Sequence, residues 1–390
     1  MTIRKLGILL AAAALGACIC CGCGKKEQED QGTSLSVASE PENEAMTGET
    51  VGISFPDESD PRWTADAVEL TALLKSHGYD TKVLYCGGSA EQQSRDIDSM
   101  IASDCRLLII SAADTGGLTS VMQRVKEAGI PVIAYDRLIR NTDAVTDYVG
   151  SDDYSVGVMQ AKYILDRLGL KEAETSKVYS IEFAAGDKAD PGQGYYFNGA
   201  YDTLKPYFDS GALQIPSGET MFADAVCDVA AANEGADKNA QEKTVQDLAA
   251  DRMKRILQRS YPNAEQLDAV LCTDDAAAAG VIKAVGSSYS GKNQVVITGM
   301  GGGDQALSLI RDGKQSMTVV KPPERLYKIT ALLAVSILRG ESPDSVLIEK
   351  ANLGDDIRYD TESYDNGMGV VEAYAARPET VTSKTLEGES

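Results

Sequence analysis

Short apolar segments alternate with helical patterns from Val51 onward, and this alternation limits the possible folds more than any other feature of the sequence. Short apolar runs are typical of buried strands, whereas apolar residues three and four positions apart are typical of helices. The predicted strands are Val51–Phe55, Thr81–Tyr85, Leu107–Ile110, Pro131–Tyr135, Tyr148–Gly150, Val178–Phe183, Ala269–Cys272, Val295–Thr298 and Ser316–Val320. A regular alternation of strands and helices predicts parallel sheets that are covered by helices on both faces.

The alternation falls into two successive sets, the first of which ends at Asp152. The chain has 390 residues, which is enough for two domains of ordinary size. No sequence repeat relates the two sets. The sequence therefore predicts an α/β protein with two lobes, each built around its own sheet.

Residues 1–23 have the pattern of an export signal. Arg4 and Lys5 precede an apolar run of about a dozen residues, which is shorter than the roughly 20 residues that a membrane span needs. The run ends in Leu-Gly-Ala-Cys18, which resembles a lipobox, where the cysteine is lipidated and becomes the mature N-terminus. Cys23 is the alternative lipidation site, and an ordinary cleaved signal peptide is the alternative interpretation.

Residues 24–50 are polar and contain almost no bulky apolar side chains. This composition predicts a flexible acidic linker between the membrane and the globular part. Outside the cysteine cluster of the signal, the chain has Cys86, Cys105, Cys227 and Cys272. Four cysteines allow three complete pairings, and the sequence does not choose among these pairings or exclude free thiols.

The formal net charge is −22, with 59 acidic and 37 basic residues. Such a surface repels nucleic acids and anionic lipids, so we expect no nucleic-acid partner and no membrane contact except through the lipid anchor. The single histidine, His77, excludes a histidine-rich metal site and fits the last turn of a helix before Gly78. The glycine run after Thr298 has Asp304 where a dinucleotide fingerprint needs glycine. We therefore expect neither a metal nor a cofactor.

Charged residues follow the predicted strands, at the sheet edge where ligands bind in parallel α/β folds. These residues are Asp114, Asp136, Arg137, Asp152, Asp153, Asp187, Asp190, Asp274, Asp275 and Lys321. Carboxylates accept hydrogen bonds from sugar hydroxyls, whereas arginine and lysine donate to them. Trp63, next to Arg62, offers an aromatic face for a sugar ring. The alternatives are core packing for Trp63, a loop-fixing ion pair for Asp136 and Arg137, and a hinge or helix cap for Asp152.

Residues 132–141, Val-Ile-Ala-Tyr-Asp-Arg-Leu-Ile-Arg-Asn, closely resemble a signature of xylose-binding and multiple-sugar-binding periplasmic proteins. Pro61-Arg62-Trp63, residues 204–211 and residues 317–322 resemble further stretches of that family, and the resemblance extends from about Val51 to near the C-terminus. The resemblance implies a type I periplasmic-binding fold, in which two Rossmann-like lobes are joined by a three-strand hinge and the sugar lies in the cleft.

The resemblance also implies a set of functional residues and two domain boundaries. The implied ligand-binding residues are Arg62, Trp63, Asp114, Asp136, Arg137, Asp190, Asp275 and Lys321, with Asp152 in the hinge. We expect the first lobe to comprise residues 51–152 and about 322–355, and the second lobe to comprise residues 153–321 and about 356–390.

Three positions depart from the family pattern. Residues 187–194 replace an Asp-Asn-Asn run, for which Asp190 or Gln193 could substitute, and residues 299–304 lack a carboxylate unless Asp304 takes its place. Asp153 stands where the family has asparagine. Because each lost partner of a buried hydroxyl costs about 1–3 kcal/mol, the identity of the sugar does not transfer from the family.

The predicted function is an extracellular substrate-binding protein that captures a monosaccharide, such as xylose, galactose, glucose or an arabinose-like sugar. It would deliver this ligand to the permease of an ABC transporter, with closure of the lobes creating the surface that the permease recognises. We expect a monomer without enzymatic activity, lipid-anchored at the extracellular face of the cell membrane.

Two alternatives remain open at this point. A sugar-sensing receptor subunit, which passes ligand occupancy to a membrane sensor kinase, would use the same two lobes. A secreted hydrolase would need paired carboxylates such as Asp274 and Asp275, but adjacent side chains usually point apart.

Overall fold

The computed structural model describes residues 44–170, 177–235, 241–263 and 265–388. The predicted export signal, both candidate lipidation sites (Cys18 and Cys23) and most of the predicted linker lie outside the described residues. Within those ranges, no helix is both long enough and apolar enough to cross a bilayer.

The first lobe begins with a set of parallel strands and helices. Its elements are β1 (Thr50–Phe55), α1 (Pro61–Ser76), β2 (Asp80–Tyr85), α2 (Ala90–Ile101), β3 (Leu107–Ile110), α3 (Thr119–Glu127), β4 (Val132–Tyr135) and β5 (Asp147–Ser151). The apolar strand β1 lies between β2 and β3, where Val51 pairs with both Thr81 and Leu107. Such a central strand is buried on both faces, which explains its continuous apolar run.

The second lobe follows directly after β5. Its elements are α4 (Asp153–Leu168), β6 (Tyr179–Ala184), α5 (Gly192–Asp209), β7 (Leu213–Gln214), α6 (Phe222–Ala225), α7 (Val229–Asn233), α8 (Val245–Ser260), β8 (Ala269–Cys272), α9 (Asp275–Ser288), β9 (Val296–Ile297), α10 (Asp304–Arg311) and β10 (Thr318–Val320). In the described residues its parallel sheet has the strand order β7-β6-β8-β9. Helices α4 and α5 pack together, and α8 packs against α9.

The chain then returns to the first lobe. The returning elements are α11 (Pro323–Arg339), a π-helical segment (Asp344–Lys350), a 3-10 turn (Gly354–Asp356), β11 (Ile357–Asp360) and β12 (Glu372–Ala376). Helix α11 packs against α1, and the sheet of the first lobe has the order β11-β12-β5-β4-β3-β1-β2 in the described residues.

Strands β11 and β12 correct the predicted boundary at about residue 356, which assigned them to the second lobe. Strand β12 pairs in parallel with β5, so that Glu372 lies opposite Asp147 and Ala376 opposite Ser151. Only the last elements, β13 (Glu379–Val381) and α12 (Ser383–Leu386), belong to the second lobe, where β13 pairs with β10. The long-range pairing of β12 with β5 decides the assignment, and the local sequence pattern does not contain it.

The connections between the lobes run side by side. In the described chain they leave β5 at Asp152, join β10 to α11, and join β12 to β13. The backbone N–H of Asp152 donates to the carbonyl of Ala376 at 2.9 Å, which ties two of these connections together.

Residues 44–49 are attached to the first lobe, which corrects the predicted end of the linker at residue 50. The N–H of Glu44 donates to Ser76 at 2.9 Å, and that of Thr47 donates to Gly78 at 2.8 Å. The Glu44 carboxylate also pairs with Arg339. His77 is the C-cap of α1, followed by Gly78 with a φ of 87°, as the sequence predicted.

The four cysteines of the described residues, Cys86, Cys105, Cys227 and Cys272, are free and buried. Burial raises the pKa of all four thiols, and that of Cys227 reaches about 11. These side chains therefore behave as small apolar core residues rather than as reactive groups.

Candidate functional site

The loop after β1 places Arg62 and Trp63 in the first turn of α1, at the carboxyl edge of the first sheet. Asp60 caps this helix, because its carboxylate accepts a hydrogen bond from the backbone N–H of Arg62 at 2.9 Å. Pro61 occupies the first helical turn, where its missing N–H is not needed. The indole of Trp63 is 3% exposed and packs against Phe55, with 5.4 Å between the ring centroids.

Two guanidinium groups lie over the indole ring of Trp63. Arg62 is 4.6 Å and Arg137 is 5.3 Å from the ring centroid, and such cation–π contacts contribute about 0.5–1 kcal/mol each. Arg137 also donates to the carbonyl of Ala112 at 3.1 Å. The predicted stacking of a sugar ring on this indole would therefore require one of the two guanidinium groups to move. In this structure Trp63 instead holds two cations at the sheet edge.

Asp136 ends β4 in a left-handed backbone conformation, with a φ of 63°. Aspartate is one of the few residues that adopt this conformation singly. Its N–H donates to Val149 at 2.7 Å, and its carbonyl accepts from the Tyr148 hydroxyl at 3.1 Å. These bonds fix the backbone of Asp136, and its carboxylate pairs with Arg62 at 2.5 Å.

Asp66 is a buried residue at this site that the sequence interpretation missed. Its carboxylate accepts from the Tyr135 hydroxyl at 2.9 Å and lies 3.8 Å from the guanidinium of Arg62. Burial raises the pKa of Asp66, and the opposing effects of Tyr135 and Arg62 are smaller. The available signal was its spacing of four residues from Arg62, which places the two side chains on one face of α1.

Two of the predicted carboxylates in the first lobe have structural partners within the protein. Asp114 is exposed and accepts from the N–H of Gly116 at 2.9 Å, so it stabilises the turn after β3. Asp152 is buried, caps α4 by accepting from Ser155 at 3.3 Å, and pairs with Arg358 on β11 at 2.8 Å. Asp152 therefore caps helix α4 and also lies in a connection between the two lobes.

Asp153 and Lys321 meet where two of the lobe connections run. The Lys321 ammonium lies 3.1 Å from the Asp153 carboxylate and donates to the Tyr196 hydroxyl at 2.9 Å. Burial acts to lower the pKa of Lys321, but Asp153 and Tyr196 outweigh it and the pKa is raised. Lys321 is therefore a charged donor at the crevice.

The pKa of Asp153 is raised, first by burial and then by the charges of Asp136 and Asp190, although Lys321 opposes this. Asp136 belongs to the first lobe and Asp190 to the second. Asp153 also shares a cavity wall with Tyr148 of the first lobe, whose hydroxyl donates to the Asp136 carbonyl at 3.1 Å. Charged residues from both lobes therefore lie at one crevice.

Asp275, the next predicted ligand residue, is fully engaged within the second lobe. Its carboxylate accepts from Gly302 at 2.7 Å, from Gln315 at 2.7 Å and from the Thr318 hydroxyl at 2.9 Å. Because two carboxylate oxygens offer about four acceptor positions, few remain for a ligand. The Gly302 contact depends on glycine, since its φ is 78° and an added Cβ would lie 2.4 Å from Val320.

Asp190 and Gln193 organise the loop that replaces the family's Asp-Asn-Asn run. Asp190 accepts from Gly192 at 2.8 Å and from the Gln193 amide at 2.9 Å. Gln193 is buried, and its carbonyl oxygen accepts from Gly186 at 2.8 Å and from the Thr273 hydroxyl. Gln193 therefore links the ends of β6 and β8, and Asp190 is the half-exposed group of the two.

Asp274 and Asp304 complete the second-lobe carboxylates near the strand ends. Asp304 is exposed at the start of α10. Asp274 caps α9 by accepting from Ala277 at 2.7 Å. Burial raises the pKa of Asp274 to about 6. The backbone bond from Ala277 opposes this rise, whereas the charges of Asp275 and Asp190 add to it.

The described residues contain no group of three or more histidine, cysteine, aspartate or glutamate side chains that could hold a metal ion. The crevice instead carries paired opposite charges, Arg62 with Asp136 and Lys321 with Asp153. Such pairs offer hydrogen-bond donors and acceptors to a polar ligand from two sides.

Comparison with known proteins identifies the family of this chain. The model of a family described as a periplasmic binding protein domain matches residues 51–342. The chain is 33% identical over 342 residues to the multiple sugar-binding periplasmic protein of Azospirillum brasilense, covering 87% of each chain. It is 32% identical over 341 residues to the multiple sugar-binding periplasmic receptor of Rhizobium radiobacter, covering 87% of this chain and 88% of that one.

A solved structure shows the same fold. An ABC transporter solute-binding protein from Clostridium phytofermentans, with bound β-D-glucose, is 31% identical with a TM-score of 0.62. The match covers 87% of this chain and 96% of that chain.

Two α/β lobes around a charged crevice define a solute-binding protein, which captures its ligand without transforming it. This chain belongs to the periplasmic binding protein family. The predicted fold class is confirmed, and so is the prediction of a binding protein rather than an enzyme.

Proposed function

We propose that the protein captures a monosaccharide in the crevice between its lobes and delivers it to the permease of an ABC transporter. The observation that carries the proposal is the convergence at Asp153. The Arg62–Asp136 pair of the first lobe and the Lys321–Asp153 pair at the lobe connection face one crevice, because Tyr148 bonds to the Asp136 carbonyl and lines a cavity together with Asp153.

The direct contacts to the sugar come from Arg62, Asp136, Arg137, Asp190 and Lys321. Asp136 accepts from hydroxyls through the lone pairs that its bond to Arg62 leaves free, and the guanidinium of Arg137 has N–H groups beyond its single bond to Ala112. Trp63 positions the two arginines from below, whereas Asp114 and Asp275 hold their loops.

The ligand class follows from the relatives and from the chemistry of the crevice. Two relatives are named for multiple sugars, and a third protein of known structure holds glucose. Neutral hydroxyls fit a site with both donors and acceptors, so the candidate ligands are glucose, xylose, galactose and arabinose-like sugars.

A thermal-shift measurement on the purified protein tests the proposal. A ligand that binds only the folded state stabilises it by RT ln(1 + [L]/Kd), about 2.7 kcal/mol at a concentration of 100 Kd. We expect a clear rise of the midpoint with one or more of the four sugars, and none with a non-sugar solute such as an amino acid. No rise with any of the sugars contradicts the proposal.

We further propose that residues 1–23 direct export, that Cys18 carries a lipid, and that the following residues tether the protein, as a monomer, to the extracellular face of the membrane. Metabolic labelling with an alkyne fatty acid tests the anchor. Label should be lost in Cys18→Ser and kept in Cys23→Ser, and the reverse result would move the anchor to Cys23.

The second candidate function is a sensory receptor subunit that passes sugar occupancy to a membrane kinase. The Rhizobium radiobacter relative is named a receptor, which favours this candidate. Deletion of the gene separates the two functions. An importer component is needed for uptake of labelled sugar, whereas loss of a sensor abolishes sugar-dependent transcription while the transporter itself stays intact.

A further inference from the structure

A cavity of about 430 Å³ lies between the lobes, beside the predicted sugar site. Its walls include Tyr148, Arg358 and Tyr364 from the first lobe, and Asp153, Tyr154 and Tyr195 from the second. None of the eight predicted ligand-binding residues lines this cavity. The cavity adjoins their crevice through Asp153, which pairs with Lys321, and through Tyr148, whose hydroxyl donates to the backbone of Asp136.

The walls of the cavity combine aromatic faces with polar groups. Tyr148 and Tyr364 pack against each other with 5.0 Å between ring centroids, whereas Tyr154 and Tyr195 are 40% and 61% exposed. Exposed tyrosines offer a broad apolar face and a hydroxyl at low entropic cost. Arg140 also lines the cavity and has no carboxylate at ion-pair distance among the described residues.

The size of the cavity falls within the 300–1,000 Å³ that is usual for small-ligand sites. Sugar rings present apolar C–H faces and polar hydroxyl edges, so a wall of tyrosines with an available guanidinium fits their chemistry. A purely apolar ligand would leave the Arg140 side chain in the cavity wall without a polar partner.

We propose that this cavity is a second sugar subsite, so that the protein binds a disaccharide. One ring occupies the crevice of Asp136 and Arg137, and the linked ring lies against Tyr195 in the cavity. This inference rests on the proposed sugar-binding function and extends it from a monosaccharide to two linked rings. Both lobes contribute to the second subsite, so the disaccharide contacts both lobes at two places.

Isothermal titration calorimetry on the purified full-length protein tests the inference with glucose and xylose, and with cellobiose, maltose and xylobiose. We expect at least one disaccharide to bind more tightly than its component monosaccharide. In Tyr195→Ala the Kd for that disaccharide should rise about tenfold, because one aromatic contact is lost, with the monosaccharide Kd unchanged.

Tyr359→Ala is the matched control, since Tyr359 is also an exposed tyrosine, 50% accessible, but lies on β11 outside the cavity walls. It should leave both Kd values unchanged. If monosaccharides bind but no disaccharide binds more tightly, the second subsite is overturned while the sugar-binding function stands. The subsite is equally overturned if Tyr195→Ala leaves disaccharide affinity intact. If no sugar of either kind binds, the proposed function itself fails.

Discussion

Asp136 in the first lobe and Asp275 in the second follow buried parallel strands at corresponding edges of their sheets, yet their surroundings differ. Asp136 has one side-chain partner, Arg62, which lies at the crevice with it. Asp275 accepts hydrogen bonds from Gly302, Gln315 and Thr318 within its own lobe. The strand end therefore sets the location of a carboxylate, whereas its hydrogen-bonding partners decide whether it is available to a ligand.

The largest effect on stability is expected from removal of the Asp275 carboxylate. Asp275→Ala leaves three buried or half-buried donors without their acceptor, so we expect the free energy of unfolding to fall by about 3 kcal/mol. Urea unfolding followed by circular dichroism measures it. Asp304→Ala, which removes an exposed carboxylate from the same lobe, should change stability by less than about 1 kcal/mol. Equal stability of the two variants would show that Asp275 does not hold its loop.

The corresponding change in the first lobe should affect binding rather than stability. Asp136→Asn keeps a residue that tolerates the left-handed backbone and removes the charge, so sugar affinity should fall about 30-fold, equivalent to about 2 kcal/mol. Calorimetric titration with the sugar found in the thermal-shift screen measures this. Asp98→Asn removes the carboxylate of a surface pair with Arg124 in the same lobe and should bind as wild type does. An unchanged Kd in Asp136→Asn would remove Asp136 from the site.

Asp274, which precedes Asp275 in the second lobe, should make the stability of the protein depend on pH. Its pKa in the folded protein, about 6, lies above the ordinary value of 3.8, so the folded state binds more protons between pH 4 and 6. Stability from this group is therefore present below pH 4 and is lost as the pH rises through 6. Asp274→Asn keeps an N-cap residue and should stabilise the protein by about 1 kcal/mol at pH 7.5, with no gain at pH 3.5.

Asp228 provides the control for that experiment, because it caps α7 by accepting from the N–H of Ala231 at 3.0 Å. This backbone bond, together with Lys188, lowers the pKa of Asp228, so the ionised form is favoured in the folded protein. Asp228→Asn should therefore lose stability at pH 7.5. A gain in both variants, or in neither, would show that the burial of Asp274 does not set its pKa.

The smallest effect is expected at Asp114. Because its carboxylate is exposed and bonded to the turn at Gly116, Asp114→Ala should change the sugar Kd by less than about threefold. A much larger loss in the same titration would restore Asp114 to the ligand-binding set that the family resemblance implied.

Local sequence patterns were sufficient to predict the buried parallel strands of both sheets. The predicted strands Leu107–Ile110 and Ala269–Cys272 have the bounds found in the structure, because buried parallel strands carry continuous apolar runs. Strand β12 was missed because its place depends on pairing with β5, more than 200 residues earlier in the chain, and β11 was missed because it pairs with β12. No local pattern of residues 357–376 records that partner.

The candidate site shows the same limit of prediction from local sequence patterns. The positions of Asp136 and Asp275 followed from the strand ends. The hydrogen bonds that occupy the Asp275 carboxylate, however, come from Gln315 and Thr318, about 40 residues further along the chain. The buried Asp66 lies inside α1, and its spacing of four residues from Arg62 does not reveal the long-range hydrogen bond that it accepts from Tyr135. Long-range hydrogen bonds therefore separate a structural carboxylate from a ligand-binding one, and they are visible only in the folded chain.

The free, buried thiols of the described residues have a consequence for how the body of the protein matures. A domain whose stability does not depend on disulfide bonds needs no oxidant after export, and it folds equally well in oxygenated and in anaerobic surroundings. Millimolar reductant should leave its melting temperature unchanged, in contrast to the many exported proteins that disulfides stabilise.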